Sequence, residues 1–125
     1  MESESATNVV YHESLSGLYG TCDLFVTAGR EYIIELGDFY MHIVTTVFLD
    51  RSDITNLVNA LTELLQTKEN KYDRGNISVE IQHLKEYSHL TLYVSKHDQW
   101  TVQILFYNED NLNDFLEELE KMAAF

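Results

Sequence analysis

Residues 47–57, VFLDRSDITNL, are matched by residues 105–115, LFYNEDNLNDF, 58 positions further along the chain. Each stretch runs from extended apolar residues through Asp or Asn into apolar residues at helical spacing. The match continues without a gap in both directions, and it aligns Tyr32 with Leu90. An internal repeat of this kind predicts one supersecondary unit that occurs twice.

The first unit reads as three strands followed by a helix. The predicted strands cover residues 22–27, 31–37 and 41–49. Gly37 and Asp38 supply the turn between the last two strands. The helix begins after a cap at Asp50 or Ser52 and ends near Gln66, because apolar residues follow helical spacing over this stretch.

The second unit repeats this order after a polar linker at residues 67–76. Its predicted strands cover residues 77–81, 90–95 and 100–107. Asn108 or Asp110 caps the last helix, and the apolar stripe of that helix starts at Leu112. The sequence therefore gives the second unit the same order of elements as the first.

These elements predict one α+β domain over residues 1–125, built from β-β-β-α pseudo-repeats at about residues 20–66 and 77–123. The simplest assembly is one antiparallel, bent sheet with both helices packed on one face. Residues 9–19 form either a short strand or an irregular cover. Residues 1–8 are expected to be flexible, because they are polar and lack a pattern.

Strand parity sorts the residues of this sheet between two faces. The face toward the helices is expected to hold Ile34, Leu36, Val44, Phe48, Leu92, Val94, Val102, Ile104 and Phe106. The opposite face is expected to hold Ile33, Ile43, Val47, Leu49, Tyr93, Leu105 and Tyr107. That second face is too apolar for a sheet in water. Either the N-terminal segment covers it, or it docks a partner or a second copy.

The net charge of −13 and the pI near 4.5 limit the classes of partner. Such a field repels nucleic acid and anionic membranes and attracts basic surfaces. No apolar run has transmembrane length, and the acidic N-terminus is unlike a secretory signal, so we expect a cytoplasmic protein. Acidity also keeps many proteins soluble, so the charge alone does not identify a partner.

No residue pattern indicates an enzyme, a cofactor site or a metal site. The histidines are His12, His42, His83, His89 and His97. None of them has the helical spacing of a zinc site, and no glycine-rich loop precedes a helix. Cys22 is the only cysteine, so we expect it to be a buried, inert thiol.

The last helix carries the densest charge of the chain. Its acidic residues are Glu109, Asp110, Asp114, Glu117, Glu118 and Glu120, with Lys121 as the only base among them. A solvated outer face explains such a pattern, and a surface for a basic partner is the alternative. The candidate partner-binding residues are Asp110, Asp114, Glu117, Glu118 and Glu120 for electrostatics, and Tyr87, Tyr93 and Tyr107 as aromatic anchors.

The repeated element ends an extended segment in Phe-x-Asp or Phe-x-Asn and continues into a capped helix. Over residues 47–65 and 105–122 it resembles the strand-to-helix step of WapI-type immunity proteins of bacterial polymorphic toxin systems. Members of such families are small, cytoplasmic and often acidic. The resemblance implies a protein that binds and neutralises a toxin domain, often a nuclease, and it assigns no individual binding residue.

The leading hypothesis is a non-enzymatic inhibitor or immunity protein that covers a basic protein partner with its acidic surface. An alternative is a phage anti-defence protein, similar to anti-CRISPR proteins, that mimics the charge of nucleic acid. A hypothesis of another class is a homo-oligomeric structural or scaffold protein that uses the apolar sheet face. The genomic neighbourhood separates the first two, and a strict monomer in light scattering would count against the third.

Overall fold

The computed structural model describes residues 8–38, 43–84 and 89–125. The elements in chain order are β1 (Val9–Leu15), β2 (Thr21–Thr27), β3 (Tyr32–Gly37), β4 (Val44–Leu49), α1 (Arg51–Thr67), β5 (Lys71–Arg74), β6 (Ile77–His83), β7 (Leu90–Lys96), β8 (Trp100–Phe106) and α2 (Glu109–Ala123). His42, Tyr87 and all but the last residue of the expected flexible N-terminus lie outside the described residues.

The α+β class and the internal repeat are confirmed, and each unit contains one strand more than predicted. In the first unit this strand is β1. In the second unit it is β5, which lies in the stretch predicted as a linker and pairs antiparallel with β6. Gly75 lies in the turn between them with φ of 58°, a conformation that glycine adopts without strain.

Within the described residues, eight strands form two antiparallel sheets instead of the single bent sheet predicted from the sequence. The first sheet has the order β1-β2-β3-β4, and the second has the order β5-β6-β7-β8. The segment between β1 and β2 joins them, because Leu18 forms a β-bridge with Phe106. Beside this bridge, the Tyr107 N–H donates to the Gly17 carbonyl at 2.9 Å. This contact holds the edge strand β8 against the first unit.

Each helix contacts the other unit as well as its own. α1 packs against α2 and against β5 and β6 of the second unit, and α2 contacts β1 of the first unit as well as β8. A Cβ at Gly17 would meet the Asn111 amide of α2 at 2.1 Å, and one at Gly75 would meet the Asn56 amide of α1 at 2.5 Å. One continuous hydrophobic core therefore serves both units.

Both helices begin at the first of the two caps considered from the sequence. The Asp50 carboxylate accepts from the Asp53 N–H at 2.8 Å, and the Asp53 carboxylate accepts from the Asp50 N–H at 3.1 Å. This reciprocal arrangement is a capping box. In α2, the Asn108 side chain accepts from the Asn111 N–H at 3.0 Å. The two caps are 58 positions apart, so the helices keep the spacing of the sequence repeat.

The strands before the helices do not keep that spacing. Tyr32 pairs with Leu49, whereas its counterpart Leu90 pairs with Phe106, which is 57 positions beyond Leu49. The span from Leu90 to its partner Phe106 is therefore one residue shorter than the span from Tyr32 to Leu49. Tyr107, an additional residue before the second cap, compensates for it. The gapless alignment of the sequence therefore hides two opposite one-residue changes.

This shift reverses the predicted parity of β4. The prediction that Val44 and Phe48 face the helices is wrong, because they are 62% and 55% exposed. Val47 and Leu49, which were assigned to the opposite face, lie in the core. A one-residue slip exchanges the two faces of a strand. The inward residues predicted for β3, β7 and β8 belong to the core or pack against it.

The outer face of the first sheet is not covered by the described part of the N-terminal segment. β1 instead extends the sheet at the edge beside β2. His12 of β1 stacks on Phe25 of β2 with ring centroids 4.4 Å apart, and Ile33 and Phe48 continue this row across β3 and β4. An apolar row with an exposed end at Phe48 therefore crosses the face.

Candidate partner-binding surface

The helix α2 separates its apolar and acidic residues onto opposite sides. Leu112, Phe115, Leu119 and Met122 are fully buried. Asp110, Asp114, Glu117 and Glu120 are exposed, and we call these four residues the acidic ridge. Spacings of three and four residues place them along one side of the helix. In the part of the chain that the structure describes, none of them forms an ion pair.

The first helix serves as an internal comparison for the acidic ridge. The positions 58 residues earlier hold Ser52, Asn56, Asn59 and Thr62, which are all uncharged. The same helix thus forms in the same fold without acidic residues at these positions. Packing therefore does not explain the charge of the ridge, although Asp110 also lies in the first turn, where the helix dipole favours an acidic side chain.

Glu118 differs from the other candidate carboxylates. The hydroxyl of Tyr11 donates to its carboxylate, and the Lys121 ammonium donates to it at 3.2 Å. The pKa of Tyr11 is raised by burial and by this carboxylate, and the pKa of Lys121 is raised mainly by its hydrogen bond to Glu118. Glu118 therefore joins α2 to β1 and does not project freely toward a partner.

An aromatic pair lies at the N-terminal end of the ridge. Tyr107 directly precedes the cap of α2 and contacts Tyr19 edge-to-face, with ring centroids 4.5 Å apart. Both rings are about two-fifths exposed. The Tyr19 hydroxyl also lies 2.7 Å from His89 Nε2. The segment that carries Tyr19 lies against the first turn of α2, because Gly17 meets Asn111 there.

The structure brings Tyr107 to the acidic helix and leaves Tyr93 elsewhere. Tyr93 is half-buried on the outer face of the second sheet, while its neighbours Leu92 and Val94 point into the core that α2 also enters. It lines a shallow hollow of about 280 Å³ with Lys71. Tyr87 is not among the described residues. The sequence offered no signal for Tyr19, since its position depends on the bridge between Leu18 and Phe106.

A serine, an aspartate and a histidine meet on the outer face of the second sheet. The Ser78 hydroxyl donates to the Asp73 carboxylate at 2.5 Å and lies 2.8 Å from His97 Nε2. A hydroxyl has one proton to donate, and the Ser78 hydroxyl donates it in the hydrogen bond to the Asp73 carboxylate, which can only accept. His97 Nε2 must therefore be the donor in its hydrogen bond with Ser78. In this arrangement the imidazole does not act as a base toward the serine.

A similar cluster lies on the outer face of the first sheet. The Asp23 carboxylate accepts from the Ser14 hydroxyl and from His12 Nε2, the latter at 3.1 Å. These hydrogen bonds, chiefly that of Ser14, hold the pKa of Asp23 below its usual value. Both imidazoles are therefore hydrogen-bond donors at Nε2.

The only cysteine of the chain, Cys22, is buried. Burial raises the pKa of the Cys22 thiol to about 12, so the thiolate that would react is disfavoured. Among residues 8–38, 43–84 and 89–125, no group of three or more His, Cys, Asp or Glu could hold a metal ion. Neither helix of the described chain is long and apolar enough to cross a membrane.

The acidic ridge and the aromatic pair form the surface that best suits a protein partner. A scan against protein-family models finds none that matches this chain, and a search of curated proteins finds no match either.

Proposed function

We propose that this protein is a non-enzymatic binding protein that covers a basic surface of a protein partner and thereby inhibits it. The observation that carries the proposal is the acidic ridge beside the aromatic pair. The ridge would attract the partner, and desolvated tyrosines are suited to provide contact energy. Neither feature is needed to form the helix, because α1 forms without them.

The electrostatics favour a basic partner over nucleic acid or an anionic membrane. The net charge of −13 gives a field that accelerates encounters with positive surfaces. In the part of the chain that the structure describes, Lys68, Arg74, Lys96 and Lys121 each already contact a carboxylate of the protein itself. The charges of these four cations are therefore partly neutralised by the protein's own carboxylates.

The partner that we propose is a toxin domain such as a nuclease, met in the cytoplasm. The support for this choice is the resemblance of the repeated strand-to-helix step to WapI-type immunity proteins, together with the basic character of surfaces that bind nucleic acid. A phage anti-defence protein that mimics nucleic acid would use the same ridge against a different basic protein. The identity of the captured partner decides between these roles.

The experiment is capture of the partner from the native host, followed by binding measurements with purified components. We expect the double variant E117K/E120K to weaken binding by about tenfold or more at low salt, since it reverses half of the ridge. Glu118 is left unchanged because it holds Tyr11. The matched control is E31K/E69K, which changes exposed acids elsewhere and alters the net charge equally, from −13 to −9.

Two results would refute the proposal. One is equal loss of affinity in the ridge variant and the control, which would assign the effect to net charge alone. The other is binding that does not change between low and high salt, because exposed charges are screened by ions. Replacement of Tyr19 and Tyr107 by alanine is expected to raise the dissociation rate without removing the salt dependence.

A further inference from the structure

The edge strand β4 lacks the features that usually protect a sheet edge. Residues 43–49, IVTTVFL, contain no charge, no proline and no glycine. Strand β4 lies at the end of the first sheet, and among the described residues no strand pairs with its outer edge. Natural proteins commonly block such edges with lysine, proline or a bulge, because an uncharged edge pairs readily with another strand.

The backbone of β4 presents its free groups in a regular pattern. The Asp38 N–H donates to the Ile43 carbonyl at 3.0 Å. The main-chain N–H and C=O groups of Ile43 and of every second residue after it therefore point toward β3. The main-chain groups of Val44, Thr46 and Phe48 therefore point away from the sheet. Their side chains are exposed on its outer face. An added strand would find both backbone partners and apolar side chains there.

We propose that β4 pairs antiparallel with β4 of a second copy of this chain, about a two-fold axis through Thr46. In this register Val44 lies opposite Phe48 of the second copy, and Phe48 lies opposite Val44 of the second copy. Thr45 lies opposite Val47 of the second copy in the same way. An interface of this kind is self-complementary, and it joins the two first sheets into one of eight strands.

The lack of charge at this edge offers nothing to attract a basic partner, and it makes the edge a place where a second copy can approach. Two chains of −13 repel each other, so they can associate only where charged residues do not meet. The stretch from Ile43 to Leu49 supplies such a contact, and every pair in the proposed register is uncharged. Salt should therefore strengthen this association by screening the repulsion, whereas it should weaken the binding of a basic partner to the acidic ridge.

The register is tested by oxidative cross-linking of single-cysteine additions in the full-length protein. In the proposed pairing the two Thr46 Cα atoms are about 5.5 Å apart, within the range of a disulfide. T46C should therefore form a covalent dimer. V44C alone should not, because the two copies of position 44 are about 14 Å apart along the strands. A mixture of V44C and F48C should form the mixed dimer.

The native cysteine does not interfere, because Cys22 is buried and its thiol keeps its proton. The cross-linked proteins should retain the circular dichroism spectrum of the parent. Cross-linking of V44C with itself, or equal cross-linking of all variants, would overturn the proposed register.

The association is tested without cross-links by sedimentation velocity over about 10 μM to about 1 mM, the range suited to a small interface. The parent chain should form dimers that increase with added sodium chloride. T46K places two ammonium groups opposite each other and should abolish the dimer. T101K makes the same change at an exposed position of β8 and should preserve it. A monomeric parent chain at every concentration and salt level would overturn the proposal.

Discussion

The replacement of Lys96 by methionine tests how the two repeats are held together. The Lys96 ammonium, at the end of β7, donates to the carboxylate of Asp53 in α1 at 2.5 Å. The two side chains are only 13% and 4% exposed. The pair thus joins the first helix to the second sheet within a site that water scarcely reaches. K96M keeps the apolar stem and leaves the carboxylate buried without its cation.

Removal of one partner from a buried ion pair typically costs about 3–5 kcal/mol. We expect the lower end, about 3 kcal/mol, because the Asp53 carboxylate still accepts from the Asp50 N–H and lies at the positive end of α1. For a chain of this length the loss corresponds to a decrease in Tm of about 12 °C. Such a change is a large part of the stability of an ordinary domain, which is about 5–15 kcal/mol.

The assay is urea denaturation followed by circular dichroism, with a double-mutant cycle through D53N and D53N/K96M. Asparagine retains the acceptor for the Asp50 N–H, so the cycle isolates the ion pair. We expect the double variant to be about 2 kcal/mol more stable than the sum of the single changes predicts. The control is K68M, which removes an exposed pair with Glu109 and should cost less than about 1 kcal/mol. Equal costs for K96M and K68M, or strict additivity in the cycle, would refute the reasoning.

Three further predictions concern the folded core and its clusters. G17A should destabilise the protein by about 2 kcal/mol, because φ is 81° there and the new Cβ would overlap the Asn111 amide. In thermal denaturation, the double variant G17A/N111A should regain part of the stability that G17A loses. S14A should lower the free energy of unfolding by about 1 kcal/mol at pH 7. Because the pKa of Asp23 is lowered in the folded state, this difference is present at neutral pH and should diminish as the pH falls below the usual range of an aspartate, as urea titrations from pH 7 downward would show. The Cys22 thiol should resist a thiol reagent at pH 8 in the native protein and react at once in urea, and fast native labelling would contradict its burial.

The sequence predicted the parts of the fold that depend on local chemistry. Both helices, their caps and the strands before them follow from apolar spacing and from the Asp and Asn residues that end the strands. β5 was missed because its sequence, KYDR, has one apolar residue and no alternation that distinguishes an edge strand from a linker. The number of sheets depends on contacts between distant strands, and no local pattern encodes that number.

The error in β4 has a different physical origin. The two units align in sequence without a gap, yet the span between paired residues of the hairpin is one residue shorter in the second unit, and the step from the last strand to the helix cap is one residue longer. Because a strand alternates its faces at every residue, this small change moves Phe48 to the surface and Val47 into the core. The same extra residue, Tyr107, forms the aromatic pair with Tyr19. The departure from the repeat thus created part of the candidate surface.

The repeat also gives the strongest argument that the acidic ridge has a role beyond folding. Asp110 and Asp114 are four residues apart on one face of α2, and like charges at this spacing destabilise a helix. At the matching positions of α1, uncharged residues support the same helix in the same fold, so the packing of the helix does not require acids at these positions. The proposed binding function, which needs a negative surface, would account for acids that the packing of the scaffold does not require.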